Sequence, residues 1–146
     1  MEKTKTVIME KAGQITMNMG IESLTIHNLS AELNLKENQL YNQLLKNDDI
    51  LLMLLLGFET DINEFVKELA NKGVSPEMEL KLLFKGLYFL FQQKPYYLSI
   101  IFDKSLKERD NDINKFVLRI RSTAEHYLTT IIDAGKNENI LTKITG

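Results

Sequence analysis

The sequence predicts an all-α protein, on three observations. Its 146 residues include only seven glycines and two prolines to interrupt helix. The alternation of β-branched or aromatic residues with polar ones that marks strands never persists beyond a few residues. Apolar residues instead recur at steps of three and four along most of the chain, which is the spacing of one helix face. With 44% hydrophobic and 26% charged residues, there is material for one compact core, or for a small head on a larger body.

Each element can be justified in order. Ile8, Ala12, Ile15 and Met19 predict a helix over residues 3–19, and Gly20 is a natural stop because glycine takes the left-handed cap conformation without steric penalty. Residues 21–24 make a connector. Thr25 is a good N-cap for a short helix over 26–33, and Asn34 can end it as glycine would. Leu35 is expected to plug the turn before a second short helix over 36–45. Leu29 and Leu33 lie one turn apart, as do Leu40 and Leu44, so each apolar face is too narrow to fold alone. Both must pack on a supporting helix. That is the arrangement of a helix-turn-helix, in which the second helix offers its outer face to DNA.

Asn47 is the expected N-cap of the next helix, running to residue 71 with Asp48 and Asp49 at the positive end of its dipole. Its opening, ILLMLLLGF, is apolar on every side and must be covered from more than one direction, as in a helix shared by two units. From Asp61 it turns amphipathic, with Ile62, Phe65, Val66 and Leu69 on one side. Lys72-Gly73-Val74 closes it, and Ser75-Pro76-Glu77 opens another helix with an N-cap serine and proline at the first helical position. Over residues 76–93 that helix carries Leu80, Leu83, Phe84, Leu87, Tyr88 and Phe91, a surface wide enough to imply a central position.

Pro95 breaks the pattern, residues 96–106 read as a short apolar helix, and KERDNDIN reads as a loop. Ile113, Phe116, Val117, Ile120, Ala124, Tyr127 and Ile131 then mark one face of a long helix ending near Gly135. The sequence stops at KNENILTKITG without the pattern of a further helix, so the bundle is expected to be short or incomplete. The expected architecture is an N-terminal three-helix helix-turn-helix head over residues 1–47 plus a C-terminal helical bundle over 48–146.

Composition also removes function classes. There is no cysteine, hence neither a disulfide framework nor a thiolate metal site, which suits a reducing, cytoplasmic setting. His27 and His126 are isolated from other metal-ligating residues, and no metal or other cofactor is expected. The N-terminus lacks the pattern of a secretory signal, and the longest apolar run, residues 50–56, is far short of the roughly 20 residues that span a bilayer, so no membrane partner is expected. No nucleophile–base pair, glycine-rich phosphate loop or paired carboxylates appear, and an enzyme is not expected.

Residues 19–50 resemble the DNA-binding head of the tetracycline-repressor (TetR) family of bacterial regulators. The resemblance rests on the amphipathic first helix ending at Gly20, the Leu24-Thr25-Ile26 entry, and Leu29-Ser30-Ala31-Glu32. It continues in the Leu40-Tyr41 pair followed by Lys46-Asn47-Asp48-Asp49-Ile50-Leu51. Residues 51–146 resemble the family only in helical layout. The resemblance implies a homodimer that binds double-stranded operator DNA and releases it when a small molecule enters the body. On matching positions, it places the Thr25 hydroxyl and a helix N-terminus against a phosphate, Tyr41 in a hydrogen bond to a phosphate, and the Lys46 charge nearby. Lys36, Glu37, Asn38, Gln39 and Asn42 would face the groove. His27 would either contact phosphate in place of the usual basic residue or stand exposed at the start of its helix.

The departures matter as much. The family usually has glycine near Asn34, serine or threonine at Lys36, glycine at Asn38, a basic residue near His27 and an aromatic at Leu44. Lysine cannot cap a helix as serine can, a loss of about 1 kcal/mol. Asn38, Gln39 and Asn42 could pair with the adenine N6 and N7 edge, or form a merely solvated face. Residues 1–50 carry five lysines against seven acids (Glu2, Glu10, Glu22, Glu32, Glu37, Asp48 and Asp49), whereas DNA-binding heads are normally basic. A second reading therefore stands beside the first: a regulator-like chain whose head no longer binds DNA, acting as a ligand-binding or protein-interaction module.

Phe84, Tyr88, Phe91, Tyr96, Tyr97, Phe102 and Tyr127 fall on the helices that would enclose a ligand. An aromatic at helical spacing is more often plain core, and only the tyrosine hydroxyls suggest a polar contact. Few charges fall inside the predicted bundle, so the expected effector is small and apolar or weakly polar. His126, beside Glu125, reads as a surface or interface residue.

Overall fold

The computed structural model describes residues 2–109 and 111–137. Six helices occur there and no strand: α1 (Glu2–Met19), α2 (Ile26–Leu33), α3 (Asn47–Ala70), α4 (Pro76–Gln93), α5 (Tyr96–Ile101) and α6 (Asn111–Asn137). Short 3-10 turns occupy Ile21–Ser23, Glu37–Gln39 and Lys104–Glu108. The all-α class read from the sequence is the observed one. No described helix is long and apolar enough to cross a membrane. The reading of KNENILTKITG as lacking a terminal helix falls largely on residues 138–146, outside the described residues.

Local signals place several boundaries. Gly20 has φ 89° and ends α1, where a side chain would be strained. Thr25 Oγ1 accepts from the Asn28 amide at 3.1 Å, capping α2. Asn34 sits left-handed at φ 56° and ψ 39°, taking the role of a C-terminal glycine. Ser75 Oγ accepts from the Met78 amide at 3.2 Å, with Pro76 opening α4.

Other expectations are corrected. Residues 36–45 do not form a second short α-helix. They make the 3-10 turn Glu37–Gln39 and then further turns, with bonds from Gln39 N to Lys36 O at 3.0 Å and from Leu44 N to Leu40 O at 2.9 Å. Asn38, Tyr41 and Asn42 are weak helix formers, the lysine at the start is a poor cap, and only Leu40 and Leu44 are buried to hold the segment. Leu35 does not plug the turn, being 38% exposed. The position before α3 is Lys46 rather than Asn47, because Asp49 Oδ2 accepts from the Leu45 and Lys46 amides at 2.9 and 3.1 Å.

Farther along, the apolar stretch 96–106 splits into α5 and the 3-10 turn Lys104–Glu108, and α6 begins at Asn111 inside the expected loop. The last helix runs to Asn137. Nor is α4 central: Leu83 is its one buried residue, and Phe84 and Tyr88 point to solvent.

The core runs without a break across residue 47. Ile8, Ala12 and Ile15 of α1, Leu29 of α2, Leu40 and Leu44 join Ile50, Leu51, Leu54, Leu55 and Phe58 of α3. Ile100, Ile113, Val117 and Ile120 continue the same cluster into the bundle. The all-round apolar opening of α3 is thus covered from both sides. Gly13 lets α5 come close to α1, since a Cβ there would collide with the Tyr96 ring. A second, smaller cluster joins Leu69, Leu83, Tyr127 and Ile131 at the far end.

Aromatic rings fill the bundle beneath α5. Phe58 stacks on Tyr97 with centroids 4.2 Å apart and planes 2° from parallel, and meets Phe91 edge-on at 6.0 Å. The Tyr97 hydroxyl donates to Asp61 Oδ2 at 2.7 Å, and Lys94 Nζ donates to the same oxygen at 2.7 Å. Burial, followed by the bond to Asp61, holds the Tyr97 phenol far above the ordinary tyrosine pKa of 10.0. The phenol stays neutral in the fold, so the stability it contributes is present below that ordinary value and is lost as pH rises above it. Tyr97→Phe should lower stability by about 1.5–3 kcal/mol at neutral pH, the worth of a hydrogen bond to a charged group. It should also flatten the loss of stability above pH 10, measured by urea unfolding at successive pH values. An unchanged alkaline slope would reject the assignment.

Candidate nucleic-acid interface

The head turns its most polar stretch outward. Lys36, Glu37, Asn38, Gln39, Tyr41, Asn42 and Lys46 are all exposed, on the loop and 3-10 turn between α2 and α3. Leu40 and Leu44 anchor that segment from below, each almost fully buried. Gln39 Oε1 accepts from the Lys36 amide at 2.8 Å, supplying from the third residue the cap that lysine cannot. The segment over residues 34–47 carries two lysines against one glutamate, so its charge is opposite in sign to that of residues 1–50 taken together.

His27 stands exposed at the start of α2, its Nδ1 3.5 Å from Glu37 Oε1. The candidate residues His27, Lys36, Glu37, Asn38, Gln39, Tyr41, Asn42 and Lys46 are therefore all exposed, and the His27–Glu37 contact joins the start of α2 to the 3-10 turn. Thr25 is placed differently. It is half-buried and lines a cleft of about 400 Å³ between head and bundle, together with Glu22, Asn47, Asp48, Ser105 and Arg109.

That cleft contains residues the sequence reading missed. Asn47 Oδ1 accepts from the Ile26 amide at 2.9 Å, so α2 is capped by Thr25 and also from the first turn of α3. Arg109 Nη1 donates to Asp48 Oδ1 at 2.9 Å, and Nη2 reaches Glu22 Oε1 at 3.4 Å. One guanidinium thus meets two of the seven acids of residues 1–50. Asp49 accepts from backbone amides and Glu37 faces His27. The partners lie 21 and 61 residues apart, and no local spacing announces them.

The seven aromatics do not enclose one pocket. Phe91, Tyr96 and Tyr97 pack around Phe58 in the core, and Phe84, Tyr88 and Phe102 are 57%, 67% and 70% exposed. Tyr127 is buried in the second cluster with its hydroxyl bonded to Glu79, and burial followed by that bond raises its pKa above the tyrosine range. The physical reason is that α4 lies at the edge, so its outer aromatics have no helix to face. Phe84 borders a small apolar cavity of about 130 Å³ with Ile62, Val66, Leu83 and Leu128. Among the described residues, no group of three or more His, Asp or Glu is placed to hold a metal.

These features define a class: an all-α protein in which one long helix, α3, packs both on the N-terminal helices and on the helices that follow it. Compared by sequence, the chain matches no family model and no curated protein. Compared by structure, it is similar to the ketosteroid transcriptional regulator KstR2 of Mycobacterium tuberculosis, with a TM-score of 0.82 at 13% identity over 92% of this chain and 69% of that one. It is also similar to the TetR family transcriptional regulator PfmR from Thermus thermophilus, with a TM-score of 0.79 at 17% identity over 91% of this chain and 72% of that one. A transcriptional regulator of the TetR/AcrR family from Thermobifida fusca gives 0.69 at 11% identity, over 95% and 73%. The chain has the fold of the TetR-family transcriptional regulators.

Proposed function

We propose that the protein is a DNA-binding transcriptional regulator of the TetR type, acting as a homodimer on double-stranded operator DNA and answering to a small molecule. The observation that carries this reading is the exposed polar segment over residues 36–46, set on a buried two-leucine anchor in a fold shared with transcriptional regulators. Lys46 and Tyr41 meet phosphate, and Asn38, Gln39 and Asn42 read base edges. The lysine excess on that segment makes the contact possible despite the net negative charge of residues 1–50. The effector acts by population shift, preferring one packing of the bundle and thereby moving α3 and the head it carries. Pairing of two chains is supported by the exposed Phe84, Tyr88 and Phe89 on α4, and light scattering checks it.

Genomic fragments selected by the purified protein and assayed by fluorescence anisotropy at low salt test the reading. A selected fragment should bind more tightly than random DNA. Lys46→Ala should weaken all sequences alike and lower the salt slope by about one, whereas Asn38→Ala should cost about 1–3 kcal/mol and relax preference at one base pair. If no fragment exceeds random DNA, the regulator reading fails and the chain is a regulator-like module with a degenerate head.

A further inference from the structure

A second cleft, of about 520 Å³, lies between α6 and the stretch that joins α5 to it. It is larger than the gap beside Phe84 and lies within the size range of small-molecule sites. Ile101, Leu106 and Val117 form a buried apolar floor, and Phe102 and Leu118 stand exposed at its margin. Two cations, Lys104 and Arg121, border it against one carboxylate, Asp103. Asp103 Oδ1 is already occupied, accepting from the Ser105 amide at 2.8 Å and from its hydroxyl at 2.5 Å.

Arg121 is held in place. Its Nη2 donates to the Ile101 carbonyl at 2.5 Å, satisfying the C-terminal end of α5, and its guanidinium lies 5.9 Å from the Phe102 ring centroid. That leaves most of a planar donor fork pre-oriented beside an apolar floor, the arrangement that suits a carboxylate with a hydrocarbon body. We infer that this cleft binds a small amphiphilic carboxylate, its acid group on Arg121 and Lys104 and its apolar part over Ile101, Leu106 and Val117. The effector is then an anion rather than the apolar or weakly polar molecule expected from composition.

The cleft is also next to the head. Lys104 and Leu106 belong to the 3-10 turn Lys104–Glu108, whose following residue, Arg109, holds Asp48 and Glu22. The Arg109 amide in turn donates to the Leu106 carbonyl at 3.2 Å. A ligand seated on Leu106 and Lys104 therefore bears on the Arg109 contact three residues from the cleft floor. This regulatory consequence rests on the proposed regulator reading; the binding site does not.

Isothermal titration of the full chain with decanoate, without DNA, tests the site. Decanoate should bind with one-to-one stoichiometry and decyltrimethylammonium, with the same tail and opposite charge, should not. Arg121→Gln should weaken decanoate about tenfold or more. Should that variant melt early because the Ile101 carbonyl loses its donor, Lys104→Gln, which removes no described contact, should still weaken binding severalfold. No heat with decanoate, equal binding of the cationic analogue, or unchanged affinity in a folded Arg121→Gln or Lys104→Gln would overturn the site. Anisotropy on a selected DNA fragment with and without decanoate then reads the coupling. A chain that binds decanoate but no DNA overturns the regulator reading and leaves the site standing.

Discussion

Replacing Leu54 with alanine is expected to lower the unfolding free energy by about 2–5 kcal/mol, the range for a fully buried leucine whose cavity cannot collapse. Leu54 is 0% exposed and lies on α3 where residues from head and bundle meet. It belongs to a cluster that also contains α1 and α6 side chains, in an interior too closely packed to collapse onto the space. Because the core is continuous, the loss should appear as one cooperative transition, shifted to lower denaturant in both head and bundle. Circular dichroism together with hydrogen exchange at head and bundle amides would check this. Two separated transitions, with only one of them moved, would show that the head folds on its own.

The second large effect concerns coupling between the two parts. Arg109→Ala should cost about 1–3 kcal/mol, mostly from stranding Asp48, since both side chains are more than two-thirds buried. The Glu22 contact adds little, because that carboxylate is 81% exposed and screened by solvent. The diagnostic readout is local. The Ile26 amide is held by Asn47, beside Asp48, and should exchange faster in the variant than amides in α4, which touch nothing of the latch. Asp48→Asn should produce much of the same change, and the double variant should lose less than the sum of the two. Unaltered exchange at Ile26 with unaltered stability would mean that the ion pair does not fasten the head.

Both expectations depend on contacts of unlike visibility in the sequence. The core face of α3 is written in ILLMLLLGF, since a run apolar on every side has to be covered on every side. The latch is not written anywhere near Arg109, which sits in the polar run KERDNDIN and reads locally as loop. Only the placement of the 3-10 turn Lys104–Glu108, which Arg109 follows, brings it to Asp48. The exposure of Lys36, Glu37, Asn38, Gln39, Tyr41, Asn42 and Lys46 was legible because a polar segment pinned by Leu40 and Leu44 has to face outward. Their conformation was not: Leu40 and Leu44 fit an α-helix and a 3-10 segment with turns equally well, and the spacing of two residues cannot distinguish them.

The aromatic residues make the same division. Phe91, Tyr96, Tyr97, Phe84, Tyr88, Phe102 and Tyr127 all lie at helical spacing, yet some stack in the core and others stand in solvent. Spacing says which residues share a face of one helix. It does not say whether another helix lies opposite that face.

By itself the sequence determined the all-α class, the caps at Thr25, Asn34 and Ser75, the breaks at Gly20 and Pro95, and the apolar faces of α1, α3 and α6. These follow from interactions within a turn or two of the chain, where a single residue's φ preference or hydrogen-bonding side chain decides the outcome. The tertiary structure alone decided that head and bundle share one core, that Asn47 and Arg109 fasten the head, and that a cleft opens between α5 and α6. Those depend on groups brought together from 20 to 87 residues apart, whose meeting is fixed by packing of the whole chain rather than by the pattern of any part of it.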